Sequence, residues 1–262
     1  MPITITKTTP IYWKRNRQGV FVQWNVSGVV APATVSVWRG FGPNGPFEEL
    51  ISNVTDFHYV DDHPNLLSLH RTVYYRCVLT EDGQEPVSDT VVVGDYLDRR
   101  NMLLRRKLQR DIAVGFKFNA VDVAILKQKN WGPRCSVCYD TTTKETTASK
   151  CEECFGTSFE NGYATPYYTR ARVGVRNVST ALTTHGDVDT NTTRMWMLTE
   201  PMLEKDDVVV HLRQNARYIV NKAYSTELQG VPVHQNLVLS ELTRDSIQYA
   251  IPVDRVNIPQ FF

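Results

Sequence analysis

The chain has 262 residues, 42% hydrophobic and 22% charged, long enough for two domains with cores of their own and too balanced for a disordered, collagen-like or coiled-coil protein. Lys and Arg number 29 against 28 Asp and Glu, so a formal charge of +1 advertises no polyanion partner for the chain as a whole. No run approaches the roughly 18 apolar residues of a membrane span, and the opening MPITITKTTPIYWKRNRQG lacks the apolar stretch of a secretory signal.

Residues 1–95 read as short strands: ITITKT, VFVQWNV, ATVSVWRG, FEELI, FHYVDD, TVYYRCVLT and VSDTVVVGD alternate or are rich in β-branched and aromatic residues. Turn chemistry falls between them at Arg17-Gln18-Gly19, Gly42 to Pro46, Asp62 to Asn65 and Glu81-Asp82-Gly83. Seven short strands with turns this often predict a β-sandwich, a scaffold that names no activity. The region resembles fibronectin type III and Ig-like modules: Trp24 stands at the core position of the second strand, Val37, Trp38 and Arg39 at the x-V-x-R segment, and Tyr74 or Tyr75 at the tyrosine corner. Cys77, in an apolar run, reads as a core thiol.

From Asp95 the period turns helical. Leu97, Leu104, Leu108 and Ile112 share one stripe, with Asp95 as N-cap. Residues 95–130 hold nine Lys or Arg and four Asp, a local charge of +5. Arg99, Arg100, Arg105, Arg106, Lys107 and Arg110 are therefore candidates for a subunit interface or for the lining of a DNA passage. The run AVDVAILKQKNW then reads as a strand connecting helix to cysteines, which makes residues 96–130 a basic linker.

Cys135, Cys138, Cys151 and Cys154 follow as C-x2-C-x12-C-x2-C. Two such knuckles place four thiolates tetrahedrally around one Zn²⁺. The intervening YDTTTKETTASK has little to bury, so a structural metal is a sensible source of its order. Two disulfides are the rival, and nothing in the sequence implies an oxidising compartment. Four Cys ligands close the shell, which argues against a catalytic zinc. Residues 131–164 are therefore read as a zinc ribbon.

Residues 165–262 return to strand-like runs and predict a second, small barrel-like β domain. Asp206-Asp207-Val-Val-Val and Ala216-Arg-Tyr-Ile-Val look like the two sides of a hairpin, and the apolar tail Ile258–Phe262 is a second interface candidate. Six scattered histidines form no catalytic set. Asp187-Val-Asp189-Thr-Asn191 begins like a calcium loop but has Thr192 at the sixth position and Leu198 at the twelfth, so it is rejected. No catalytic residues are assigned and no small-molecule substrate is expected.

The run from Trp131 to Pro166, laid out as W-G-x-R-C-x-x-C, C-x-x-C-F-G-T and G-Y-x-x-P, resembles a knuckle of tailed-bacteriophage structural proteins. The stretch EPMLEKDDVVVHLRQNARYIV is similar to the small β-barrels of head-completion proteins. The resemblance implies a non-enzymatic virion subunit. It would belong to a hexameric or dodecameric neck or connector ring around the DNA channel, beside portal and tail proteins and with non-specific contact to the genome. A tail or baseplate subunit and a zinc-dependent nucleic-acid-binding protein are the alternatives.

Overall fold

The structure, a computed structural model, describes residues 3–13, 17–62, 73–82, 84, 86–92, 99–140, 142–147, 150–183, 186–228 and 231–255. The chain is mainly β. Strands β1 (Ile3–Trp13), β2 (Arg17–Val26) and β5 (His58–Asp61) form an antiparallel sheet in the order β1-β2-β5. Strands β3 (Ala33–Gly40), β4 (Phe47–Val54), β6 (Tyr74–Glu81) and β7 (Val87–Val92) form a second in the order β4-β3-β6-β7. Period-two alternation sends Val20, Val22, Trp24 and Val26 of the first sheet and Val35, Val37, Tyr75, Cys77 and Leu79 of the second into one shared core. Arg17-Gln18-Gly19 is not a turn. Trp13 pairs with Arg17, so the predicted turn is the first part of β2.

One polar cluster ties the two sheets together. The Asp61 carboxylate, 2% exposed, accepts from Arg39 Nη1 at 2.8 Å and from the Tyr75 hydroxyl at 2.6 Å. Tyr75 is thus the buried member of the predicted tyrosine pair, and its partner is a side-chain carboxylate. Burial, and then the Asp61 charge, push the Tyr75 hydroxyl far above the ordinary phenol range.

Helix α1 (Arg99–Asn119) precedes β8 (Val121–Leu126). Asp95, Leu97 and the tail Ile258–Phe262 lie outside the described residues. Strands β11 (Tyr167–Thr183), β12 (Gly186–Leu198), β13 (Val208–His211), β14 (Ala216–Leu228) and β15 (Val231–Glu241) join β8 in a closed barrel, order β11-β12-β15-β14-β13-β8. The hairpin expected from Asp206 onward is β13 with β14, in register from Val208–Ile219 to His211–Ala216. Val123, Ile125, Met195, Met197, Val209, Val220, Leu237 and Leu239 fill the barrel, again by alternation. β8 is more than a connector: it pairs with β11 on one side and β13 on the other, and without it the barrel is open. Residues Val123 to Leu126 are all fully buried, because Ala124 and Leu126, on the strand's other face, are covered too. Phe116 of α1 packs edge-on against Trp196 of β12, ring centres 5.1 Å apart.

By packing, the chain divides into one unit of residues 1–106 with 129–164 and a second of 107–128 with 165–262. The cysteine segment therefore belongs with the amino-terminal sheets, and β8 with the carboxy-terminal barrel. Among the described residues no helix is long and apolar enough to cross a membrane.

Candidate metal centre

The cysteine module is built from two matching knuckles. Tyr139 N–H bonds the Cys135 carbonyl at 3.1 Å, and Phe155 N–H bonds the Cys151 carbonyl at 2.9 Å, so each C-x-x-C closes in the same tight turn. Between them β9 (Tyr139–Asp140) pairs with β10 (Glu145–Thr146), and Asp140 accepts the Thr142 and Thr143 N–H groups to hold the tip. Those bonds, which favour the carboxylate, keep the Asp140 carboxyl below its ordinary range.

The knuckles bring the four sulfurs together. Cys135 and Cys151 Sγ stand 3.7 Å apart, Cys138 and Cys154 Sγ 3.4 Å, and all four lie within 4.8 Å of one another. Thiolates at about 2.3 Å from a tetrahedral Zn²⁺ would be about 3.8 Å apart, so the spacing fits such an ion. None of the four is more than 5% exposed, and all four are free thiols. A cluster of four buried thiols with no carboxylate or histidine among them suits a closed site rather than one with an open position for water. The N–H groups of Cys154, and after burial's opposing effect Glu153, pull the Cys151 thiol down to about 7. Burial and the neighbouring sulfurs push Cys138 the other way. Unligated, the cluster holds sulfur protons in a crowded, buried space; a divalent cation would displace them.

A collar supports the knuckles. The Thr157 hydroxyl donates to the Cys154 carbonyl at 2.8 Å, and Cys135 N–H bonds the Ser158 carbonyl at 3.0 Å. Arg134 lies over the Phe159 ring at 4.1 Å and near the Tyr139 ring at 4.9 Å. Gly162 has φ +52°, and a Cβ there would collide with the Cys154 carbonyl, so only glycine lets the chain pass this close to the knuckle. Trp131 packs into the core shared by the two amino-terminal sheets, and Gly132 N–H bonds the Val29 carbonyl at 3.1 Å. The sequence hinted at Gly162 and Trp131 only as parts of an unexplained motif.

No protein-family model matches the chain, and no curated protein is similar to it.

The basic candidates fall elsewhere. Lys107 and Arg110 are exposed on α1. Arg99, Arg100, Arg105 and Arg106 belong to the same helix, but their side chains lie outside the described residues. Among the described residues the four cysteines form the only group of three or more potential metal ligands. A buried pair that sequence reasoning missed is structural: Lys127 Nζ meets Asp207 Oδ2 at 3.0 Å, while Gln128 and Glu204 N–H groups bond the same carboxylate. It pins β8 to the turn before β13.

Proposed function

We propose that this chain is a non-enzymatic structural subunit of a tailed-phage particle. In this reading it forms part of a homo-oligomeric neck or connector ring around the DNA channel and carries one structural Zn²⁺ on Cys135, Cys138, Cys151 and Cys154. The observation that carries the assembly reading is the far end of the β11–β12 hairpin. From Val178–Asn191 to Thr183–Gly186 the two strands pair with each other, and among the described residues neither has a second neighbour. Six such pairs make a ribbon about 20 Å long. An isolated two-stranded ribbon is marginally stable in water and offers two unpaired edges, so its length suits a partner subunit. The sheet orders β1-β2-β5 and β4-β3-β6-β7 are those of a fibronectin type III-like module, and the cysteine spacing suits a zinc ribbon. A metal staple fits a protein made in a reducing cytoplasm that must persist in a particle.

Mass measurement of the purified zinc-loaded chain tests this reading. A closed ring of six or twelve copies is expected, and shortening the hairpin to remove residues 178–191 should return it to monomers with the barrel intact. A monomer at all concentrations would overturn the reading. Exposed Lys107 and Arg110 favour the second reading, a zinc-dependent nucleic-acid-binding protein. That reading predicts duplex binding that weakens steeply with salt and is lost when both residues are reversed to Glu.

A further inference from the structure

We infer that one end of the barrel carries a phosphate-binding pocket formed by Arg213, Arg255 and His211. A cavity of about 380 Å³ opens there, where β8 begins and β13 ends, with Val121 and Leu212 among its walls. The three polar residues come from two segments that the fold holds in place, His211 and Arg213 from the end of β13 and Arg255 from the stretch after β15. Leu212 N–H bonds the Asp122 carbonyl at 3.1 Å, which fixes the chain beyond β13 against the start of β8. The segment leading to Arg255 is fastened by the buried Arg217, whose guanidinium donates to the carbonyls of Gln248 and Ile251, and by Asp254 N–H on the Tyr168 hydroxyl at 3.1 Å.

Charge makes this cavity unlike an ordinary surface dent. Arg213 and Arg255 both line it, and neither has an acidic partner among the described residues. Asp122 is the one carboxylate in the lining, and Arg170 Nε already holds it at 2.8 Å. Two guanidiniums beside one neutralised carboxylate leave a concave site short of negative charge. Neighbouring groups register the excess. Burial first, and then the Arg213 charge, hold His211 below the ordinary imidazole range; burial and then Arg255 disfavour the Arg217 cation.

His211 adds a directed donor. Its Nδ1 accepts the Gln214 N–H at 3.2 Å, so in the neutral ring the proton sits on Nε2. The Ala120 and Leu212 N–H groups are spent on the Phe116 and Asp122 carbonyls, so neither contributes a donor to the pocket. Two guanidinium forks and one imidazole N–H offer more donors than the two oxygens of a carboxylate can take up. A phosphate matches them in number of acceptors and in charge. The source is either free inorganic phosphate or a phosphate of a nucleic-acid backbone, and the pocket chemistry is the same for both. This inference stands independently of the ring reading.

Titration calorimetry of the full zinc-loaded chain with inorganic phosphate is the direct test. Saturable binding is expected, weakened about tenfold by Arg213→Gln or by Arg255→Gln and abolished by the pair. Both residues are exposed, and unchanged thermal melts would show that the variants fold. Should a variant fail to fold, the imidazole resonances of His211 in the unmodified protein provide a second readout, because phosphate must shift them at the calorimetric affinity. A short DNA duplex distinguishes the sources. Duplex binding that needs both arginines and is displaced by phosphate assigns the site to a backbone; phosphate binding with no such duplex binding assigns it to the free anion. The absence of saturable phosphate binding, or binding that survives the double substitution, overturns the proposal.

Discussion

The amino-terminal sheets and the cysteine module sit in one compact unit, yet they are stabilised by opposite means. The sheets bury Val20, Val22, Trp24, Val35, Val37, Tyr75 and Leu79 in a continuous apolar core, and each such side chain contributes about 1.5–3 kcal/mol. The cysteine cluster consists of Cys135, Cys138, Cys151 and Cys154 alone. Its connecting segment is polar and its hairpin is two residues deep on each side. The difference teaches that alternating apolar residues can order a chain without a cofactor, whereas a thiol cluster this small has little apolar surface to bury and, in the proposed reading, is ordered by a bound ion.

Removing the metal should break the comparison most sharply. A structural zinc supplies on the order of 10 kcal/mol. Chelation, or Cys154→Ser, should therefore unfold residues 135–162 while the β1–β7 core keeps a cooperative melt. Amide exchange read residue by residue checks this, and metal analysis should return one zinc per chain. A metal-free module with protected knuckle amides would refute it. Among the described residues Trp131 is the one point where the two regions share a core, so Trp131→Ala tests their independence. It should lower the stability of the sheets by about 3 kcal/mol in urea unfolding while leaving zinc stoichiometry at one. For the same reason a fragment ending at residue 95 should be less stable than one ending at residue 164.

What the sequence disclosed follows the same division. The four-cysteine cluster was legible because its members lie in two local C-x-x-C turns whose spacing suits a metal. The seven amino-terminal strands were legible through alternation, as at Val20 to Val26. β8 was not recognised as a barrel strand, because Val123 to Leu126 are buried on both faces and show no alternation, and their partners lie some 40 to 90 residues away. Trp131 reaches a core formed by residues roughly 50 to 130 positions earlier, and no local pattern records that. The same is true of the cavity, whose Asp122, His211 and Arg255 meet only after the barrel closes.

Gly162→Ala should act on the module alone. The new Cβ meets the Cys154 carbonyl at a φ of +52°, and the combined conformational and steric cost is about 2 kcal/mol. Zinc retention against a competing chelator should fall about thirtyfold, with the melt of the sheets unmoved. An unchanged zinc affinity would show that the loop relaxes away from the knuckle.

The smallest effect separates the two regions by their response to pH. His58 is stacked on Phe21, ring centres 5.2 Å apart, and lies 4.4 Å from Phe57. Burial lowers its pKa below the ordinary 6.5, against a weaker opposing pull from Asp56. The unfolded chain therefore binds a proton at His58 more readily than the folded one. Stability from this residue is fully present above about pH 6.5 and is lost as the pH falls below that value towards the folded-state pKa. The slope cannot exceed about 1.4 kcal/mol per pH unit for one group. His58→Phe keeps an aromatic ring between the two phenylalanines and removes the proton, so it should flatten the pH dependence of the sheets between pH 6.5 and 5. Zinc release over the same range should be unaffected, because acid loosens the module by returning protons to the four thiolates. Urea unfolding of the two proteins at pH 7 and pH 5, read beside zinc release, tests both halves. An equal pH slope in wild type and His58→Phe would assign the acid sensitivity of the sheets to other groups.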